Sequence, residues 1–414
     1  MKIEQVQNIL KPALAQALGD DFMGERGDFA AIDDRALADI GQQLFNKSVD
    51  PQTGISLSAD VALKELADRC GRVVIVSDRY YGQVKSVFID PREWGGFLIR
   101  YYFGIGSIME DEMWNENGFI DFFAEGGKEE AARIAAIEHG YYKPAVSGKA
   151  FMKAAAHMVP ITTLREQFFT AFTSWDAMDE FLGGITVSIQ NTIEALAQVK
   201  AKALLGAAIA ASILAGNEVK LVTEYNAEYG TTLTKANALS DKDFIAWAYS
   251  RIDEIKGNMS DMTYAYSAER NLSFTSDNNW RLILHKRLPN RARYLLRSSS
   301  FNEGLLSIGE YDEINSWQAV RAEASADFDF AVTSSVYVTP DVIEYFGGTR
   351  PEAAVEYSGI VGLAFDRRAL GISLKKDDVT QSYTASRKSW NTFYHALFQQ
   401  ILDRKFKMVV FSLN

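Results

Sequence analysis

Two clusters in this sequence bring together residue types that can do chemistry. Asp327-Phe328-Asp329-Phe330 alternates along a predicted strand, so both carboxylates fall on one face. Such a pair can act as acid and base, although paired carboxylates are far more often a solvated face. Arg287, Arg291, Arg293 and Arg297 crowd the segment RLPNRARYLLRSSS. Their planar guanidinium groups suit phosphate or a partner's carboxylates. On a chain of net charge −11, pairing with another subunit is favoured over reading nucleic acid. The usual catalytic signatures are missing. There is no GxSxG elbow and no P-loop, and GIGSIM at 104–109 lacks the third glycine of a dinucleotide fingerprint. His139, His157, His285 and His395 are scattered without an HExxH or i, i+4 pair, so no metal site is expected. The single cysteine, Cys70, excludes an intrachain disulfide and a cysteine-rich zinc site. No catalytic residue, cofactor or metal is assigned. A cytosolic α/β enzyme using Asp327 and Asp329, or the arginines around Arg293, stays open as a reading of a different class.

Composition points toward surfaces rather than a pocket. The 414 residues are 47% apolar and 23% charged, enough for two or three core-bearing units. The acidic total argues against a general nucleic-acid binder and against an anionic membrane surface. Twenty-five Phe, 18 Tyr and 7 Trp exceed what catalysis explains and suit broad interfaces. The start, MKIEQVQNIL, is not a secretory signal. Ala203 to Leu214 is apolar but too short to span a bilayer, with Lys200 and Lys202 just before it. The expectation is a soluble protein with no membrane partner.

The element that must position everything else runs from Thr173 to Gly216. Met178, Phe181, Leu182, Ile185, Ile189, Ile193, Leu196 and Val199 recur at steps of mostly three and four, as one face of a helix requires. Thr173 or Ser174 can cap its start, Gly216 its end, and Gly183-Gly184 is its weak point. Unbroken, it makes a rod of about 60 Å; broken, it makes two shorter helices of a bundle.

Before it, residues 1–70 read as short helices on polar connections, interrupted by Pro12 and including Arg35–Phe45 and Ser58–Cys70. They look like an arm laid over something else. RVVIVS, VKSVFI and FLIRYYF read as strands, the last two joined through PREWGG into a hairpin. Trp94, Phe97, Tyr101 and Tyr102 make that hairpin aromatic enough to be a surface for a neighbour. A Lys- and Ala-rich segment ends at Pro160. After the rod, NEVKLVTEYNAEYGTTL reads as strand and loop. SDKDFIAWAYSRIDEIKGNM reads as a helix capped by Ser240 and Asp243 and ended by Gly257. DNNWRLILHK is a strand, VIEYFGG a short helix, and GIVGLAFDRRALGISL a strand, turn and strand. DDVTQSYTAS is extended, RKSWNTFYHALFQQILDRKF a helix, and KMVVFSLN a final strand.

That order, together with FMKAAAHMVPITTLREQFFTAFTSWDAMDEFLGGI (151–185), GLAFDRRALGISL (362–374) and SRKSWNTFYHALFQQILDRKFKMVVFSLN (386–414), resembles the major capsid proteins of tailed bacteriophages. The first stretch looks most like those of small podophages of the Bacillus phi-type group. The resemblance implies an α+β chain of the Hong Kong 97 fold. By position it implies an N-terminal arm at 1–70, an E-loop region at 71–171 and a peripheral domain with the spine helix at 172–275. An axial domain at 276–372, a return at 373–407 and a final strand at 408–414 follow.

It further implies a structural virion protein, made and assembled in host cytoplasm, that forms hexamers and pentamers of an icosahedral or prolate head. Scaffolding, portal and decoration proteins would be its partners, and double-stranded DNA would be held by enclosure. Candidate intersubunit contacts are Lys85, Trp94, Phe97, Tyr101, Tyr102, Arg287, Arg291, Arg293 and Arg297. In one member of the wider fold an E-loop lysine crosslinks to an asparagine. Lys85 lies in that region, but nothing marks a partner, so no covalent crosslink is expected. An encapsulin-like nanocompartment shell shares the fold, though those chains are typically much shorter.

Overall fold

The computed structural model describes residues 10–14, 16–17, 34–46, 59, 61–66, 83–88, 98–103, 146–151, 154–297, 310–318, 320–321, 328–329 and 335–414. Helical residues at 10–14, α1 (Asp34–Asn46) and helical residues at 61–66 come first. β1 (Leu98–Phe103) and β2 (Val146–Phe151) form a ribbon. β3 (Ala154–Leu164) runs into α2 (Arg165–Ala171) and α3 (Trp175–Leu214). β4 (Glu218–Lys220), α4 (Leu221–Tyr229) and α5 (Lys242–Ser260) precede β5 (Trp280–His285) and α6 (Arg287–Arg297). Short strands β6 (Asp312–Ile314), β7 (Val320–Arg321), β8 (Phe328–Asp329) and β9 (Val336–Val338) lead to α7 (Pro340–Tyr345). β10 (Val355–Tyr357), β11 (Ile360–Asp366), β12 (Leu370–Thr384), β13 (Ser389–Leu402) and β14 (Met408–Ser412) finish the order.

α3 is one helix of 40 residues, unbroken at Gly183-Gly184. Ser174 starts it by accepting a hydrogen bond from the Ala177 N–H at 3.2 Å, which satisfies one of the otherwise unpaired first-turn donors. Gly216, at φ +79°, turns the chain away after its last turn. The helix threads three cores in succession. Trp175, Met178 and Leu182 pack with Phe168, Phe172, Trp390 and the leading helices. Ile189 and Ile193 pack with Val159 and Tyr394. From Ala197 onward the helix is buried against Trp317, Leu363, Phe365, Met408 and Val410. This explains its apolar character: the helix is long and apolar enough to cross a membrane, yet most of its apolar stretch is buried inside the protein. Each large side chain buried this way contributes about 2 kcal/mol, and spreading that gain over three cores holds the rod in one piece.

Two sheets flank it. The first has the order β4-β14-β11-β5-β6. Its central strands β11 and β14 are buried at every position and pair antiparallel. Residues alternate between its two faces, as strand geometry demands. Ile283, Leu363, Phe365, Met408 and Val410 face the spine, and Leu282, Leu284, Ala364, Val409 and Phe411 face α4, α5 and α6. The second sheet, β12-β13-β3, is long and antiparallel, and its β12–β13 turn places Lys388 at φ +50°. Pro160 sits inside β3, an edge strand where its missing N–H is tolerated, rather than ending a segment. Pro12 likewise lies among helical residues.

Residues 95–153 form a separate compact unit, distinct from 1–94 with 154–414. Its described part is the ribbon, with Leu98 opposite Phe151 and Phe103 opposite Val146.

Several expectations are corrected. FLIRYYF pairs with Val146–Phe151, not with VKSVFI. Residues 83–88 are a turn with a single bridge from Phe88 to Ile372. The Asp312 carboxylate accepts from the Lys85 and Ser86 N–H groups at 2.8 and 2.7 Å, taking donors that a strand would use. TEYNAEY is helical in α4. α5 is capped by Asp241, whose carboxylate accepts from the Phe244 N–H at 2.8 Å, and it runs through Gly257 to Ser260. SWNTFYHALFQQIL is strand β13, not helix, with Trp390, Thr392, Tyr394, Ala396 and Phe398 buried at a period of two. The described residues of the leading segment lie over their own chain. Leu37, Ile40 and Leu44 are fully buried in their own chain, and Gly41 lies so close to Phe172 that an added Cβ would come within 2.5 Å. RVVIVS, PREWGG, Ser58 and Cys70 lie outside the described residues.

Candidate assembly surfaces

The first surface is built on the clamped turn at 83–88. Gln198, from the spine, accepts from the Val84 N–H and donates to the Val84 carbonyl, both at 3.2 Å. Gln83 accepts from the Asn315 N–H at 3.0 Å, and the Ile372 N–H donates to the Val87 carbonyl at 2.9 Å. These bonds fix the backbone and leave Lys85 exposed. It borders an open cleft of about 950 Å³ with Lys256, Trp280, Arg293, Glu310 and Arg367.

In the ribbon, Tyr101 is 65% exposed and Tyr102 is buried. Arg100 and Lys149 both lie over the Phe151 ring, at 5.6 and 5.7 Å. Trp94 and Phe97 lie outside the described residues.

The third surface is α6. Leu288 and Ala292 bury its inner face, while Arg287, Arg291 and Tyr294 are exposed, Tyr294 at 73%. Arg293 differs from its neighbours. It forms a bidentate pair with Glu313, which holds its pKa above the ordinary guanidinium value. Arg297 is the last residue of the helix. The structure thus groups Arg287 and Arg291 on one stripe and diverts Arg293 into an internal pair. Of the acidic pair, Asp329 lies in β8 and Asp327 lies outside the described residues. Among the described residues, no three His, Cys, Asp or Glu side chains gather as a metal site would need.

Three charged residues that sequence reasoning passed over hold the frame. Asp312 clamps the turn below Lys85. Lys202, on the spine, is 3% exposed, donates to Ser316 Oγ at 2.6 Å, and has its pKa lowered to about 8 by burial. Lys407 is fully buried and donates to the carbonyls of Met259 and Asp261 at 3.1 and 2.6 Å and to Thr263 Oγ1 at 3.1 Å. It therefore places a cation at the negative end of the α5 dipole. Burial lowers its pKa against the pull of Asp261 and Asp366. Only Asp312 lies in a signalled context, beside Glu313 in a strand; nothing local marks a lysine for burial.

A long spine fastened through three cores, with aromatic and cationic faces left outside, is the build of a tile. The family model for the Phi29-like phage major capsid protein matches residues 54–411. The chain belongs to that family. This capsid protein is accordingly a structural, non-enzymatic component of the virion head shell, assembled from many copies of itself. Its α+β chain has the Hong Kong 97-type fold expected from the sequence, and the enzyme and nanocompartment readings are disfavoured.

Solved structures similar to the protein include a chain from the capsid of Staphylococcus phage Andhra, at 10% identity and TM-score 0.47, covering 82% of this chain and 88% of that one. Another comes from the structure of the head fiber and inner core protein of native bacteriophage P68, at 11% identity and TM-score 0.48, covering 83% and 87%. A third comes from the asymmetric unit of the bacteriophage PhiM1 mature capsid, at 8% identity and TM-score 0.41, covering 82% and 89%. No curated protein sequence matches the chain.

Proposed function

We propose that the capsid protein builds hexamers and pentamers of a closed head, using Lys85, Trp94, Phe97, Tyr101, Arg287, Arg291 and Arg297 as contacts between copies; Tyr102, buried in its own chain, and Arg293, paired with Glu313, are set aside. The observation that carries this is the contrast between a rod sealed along three cores and aromatics as exposed as Tyr101 and Tyr294. Exposed aromatics beside arginine are what the centre of an interface uses. The independence of residues 95–153 as a compact unit supports reading 71–171 as an E-loop region, and α3 serves as the spine of a peripheral domain at 172–275. Residues 1–70 are the N-terminal arm, 276–372 the axial domain, 373–407 the return and 408–414 the closing strand. β4 extends the axial sheet from the peripheral span by pairing with β14.

Scaffolding, portal and decoration proteins are its partners in the head. The net charge of −11 favours enclosing double-stranded DNA without gripping it. Size-exclusion chromatography and negative-stain microscopy of the purified protein, alone and with a co-expressed scaffold, test the proposal. Megadalton hollow particles are expected. A population confined to monomers and dimers under both conditions would overturn it.

A further inference from the structure

The five-stranded sheet has two unlike sides. On one side α6 rests on Leu282, Leu284 and Phe411 through Leu288 and Ala292. Its outer stripe is Arg287, Arg291 and Tyr294, which fall within about 60° of one another around the helix. Among the described residues neither Arg287 nor Arg291 forms an ion pair, in contrast to Arg293. The other side of the sheet packs on the spine, and Val336, Val338 and Ile343 seat the β9–β10 ribbon and α7 against that helix. Their outer surface is acidic and aromatic. Tyr337 and Glu356 stand directly opposite each other in the ribbon, both exposed, and α7 adds Glu344 and the 78%-exposed Tyr345. Asp341 lies on the same helix, Arg350 bridges Asp341 and Glu344 at 2.8 and 2.9 Å, and Arg404 lies over the neighbouring Phe346 ring at 5.4 Å. Arg350 thus neutralises part of this face and leaves Glu356 outside the pair.

We infer that the Arg287–Arg291–Tyr294 stripe of one copy docks on the Tyr337–Glu344–Tyr345–Glu356 face of the next copy around a capsomer. The inference rests on the shell reading and names the partner of the α6 arginines within it. Three features select a second copy in this orientation. The charges of the two patches are complementary. Two different, complementary patches on one chain are what a head-to-tail ring contact needs. A two-fold contact of α6 on α6 would set arginine against arginine, which opposes association. Three exposed tyrosines supply the apolar area, and guanidinium groups stack on such rings.

Charge reversal tests the contact. R287E/R291E and, separately, E344R/E356R are expected to lower the ratio of particles to free subunits at least tenfold. Circular dichroism of the free subunit should stay at wild-type values and its melting temperature within about 1 °C, since all four side chains are exposed and E344R gives up only the surface pair with Arg350. R291Q, which removes charge without reversing it, is the milder variant and is expected to make assembly fail at a lower salt concentration than wild type. The quadruple variant, in which every ring contact has its charges exchanged, is expected to recover particles. Doubles that assemble like wild type, or a quadruple variant no better than the doubles, would overturn the contact. Absence of particles from the wild-type protein would instead overturn the shell reading on which it rests.

Discussion

Replacing Lys202 with methionine is expected to stabilise the free subunit. Lys202 is 3% exposed on the spine helix, and burial alone lowers its pKa from 10.5 to about 8. At 1.36 kcal/mol per pKa unit, the charged form carries a penalty of at most about 3 kcal/mol at neutral pH. Methionine has a similar reach and fills irregular core space. Its cost includes the hydrogen bond to Ser316, about 1 kcal/mol. The net gain at pH 7 is about 2 kcal/mol. An unfolding entropy of about 2.1 cal/mol/K per residue turns that into a melting temperature about 2 °C higher for a chain of this length. The pH dependence sharpens the test. The folded pKa lies below the unfolded one, so the unfolded chain binds more protons between about pH 8 and 10.5. Lys202 therefore makes wild-type stability rise with pH across that window, and this contribution is lost as pH falls through 8. The advantage of Lys202→Met should shrink as pH rises, vanish at about pH 10 and reverse above it, where only the lost hydrogen bond remains. Differential scanning calorimetry of unassembled wild type and variant at pH 7 and 10 reads the difference directly, cancelling groups common to both. A variant less stable than wild type at pH 7, or a difference that does not change with pH, would refute the reasoning.

Lys407→Met should have the opposite effect, because it strips a donor from two α5-terminal carbonyls and Thr263; a loss of about 2 kcal/mol is expected in denaturant melts, and an unchanged midpoint would contradict the capping role. Gly183→Ala with Gly184→Ala should stabilise the subunit by about 1.5 kcal/mol, since an added Cβ meets nothing within 4 Å at either position and alanine favours helix; a lower melting temperature would mean that the helix is not continuous there. Gly41→Ala should drive α1 off Phe172, costing about 1–3 kcal/mol, and limited proteolysis should then cut residues 1–70 faster while the spine survives. Mature particles should run as intact monomer on a denaturing gel, and a ladder of higher species would show a crosslink through Lys85 or another lysine.

The spine, β11, α7 and the closing strand were legible because each is decided by its own residues. An apolar stripe, a serine cap, an all-apolar run and a glycine stop are local signals. β13 was not legible. HALFQQIL favours helix by composition, and only β12 and β3 on either side impose the strand. The alternation of Trp390, Thr392, Tyr394, Ala396 and Phe398 was the signal to follow. The true ribbon partner of FLIRYYF lies beyond a long insertion, where no spacing rule reaches. VKSVFI has strand composition but loses its donors to Asp312, which is distant in sequence. The end of α5 is set by Lys407 rather than Gly257, for the same reason. Among the candidate contacts, clustering alone pointed to the arginines. Only the structure separates Arg287 and Arg291 from Arg293, which is also exposed but paired with Glu313 of its own chain.

The most direct measurement is a reconstruction of assembled particles at side-chain resolution. Expected are a straight α3 in every copy, the leading helices packed on their own spine, and Tyr101, Arg291 and Tyr294 covered by neighbouring copies. Particles in which those three side chains face solvent, with neighbours joined elsewhere, would contradict it.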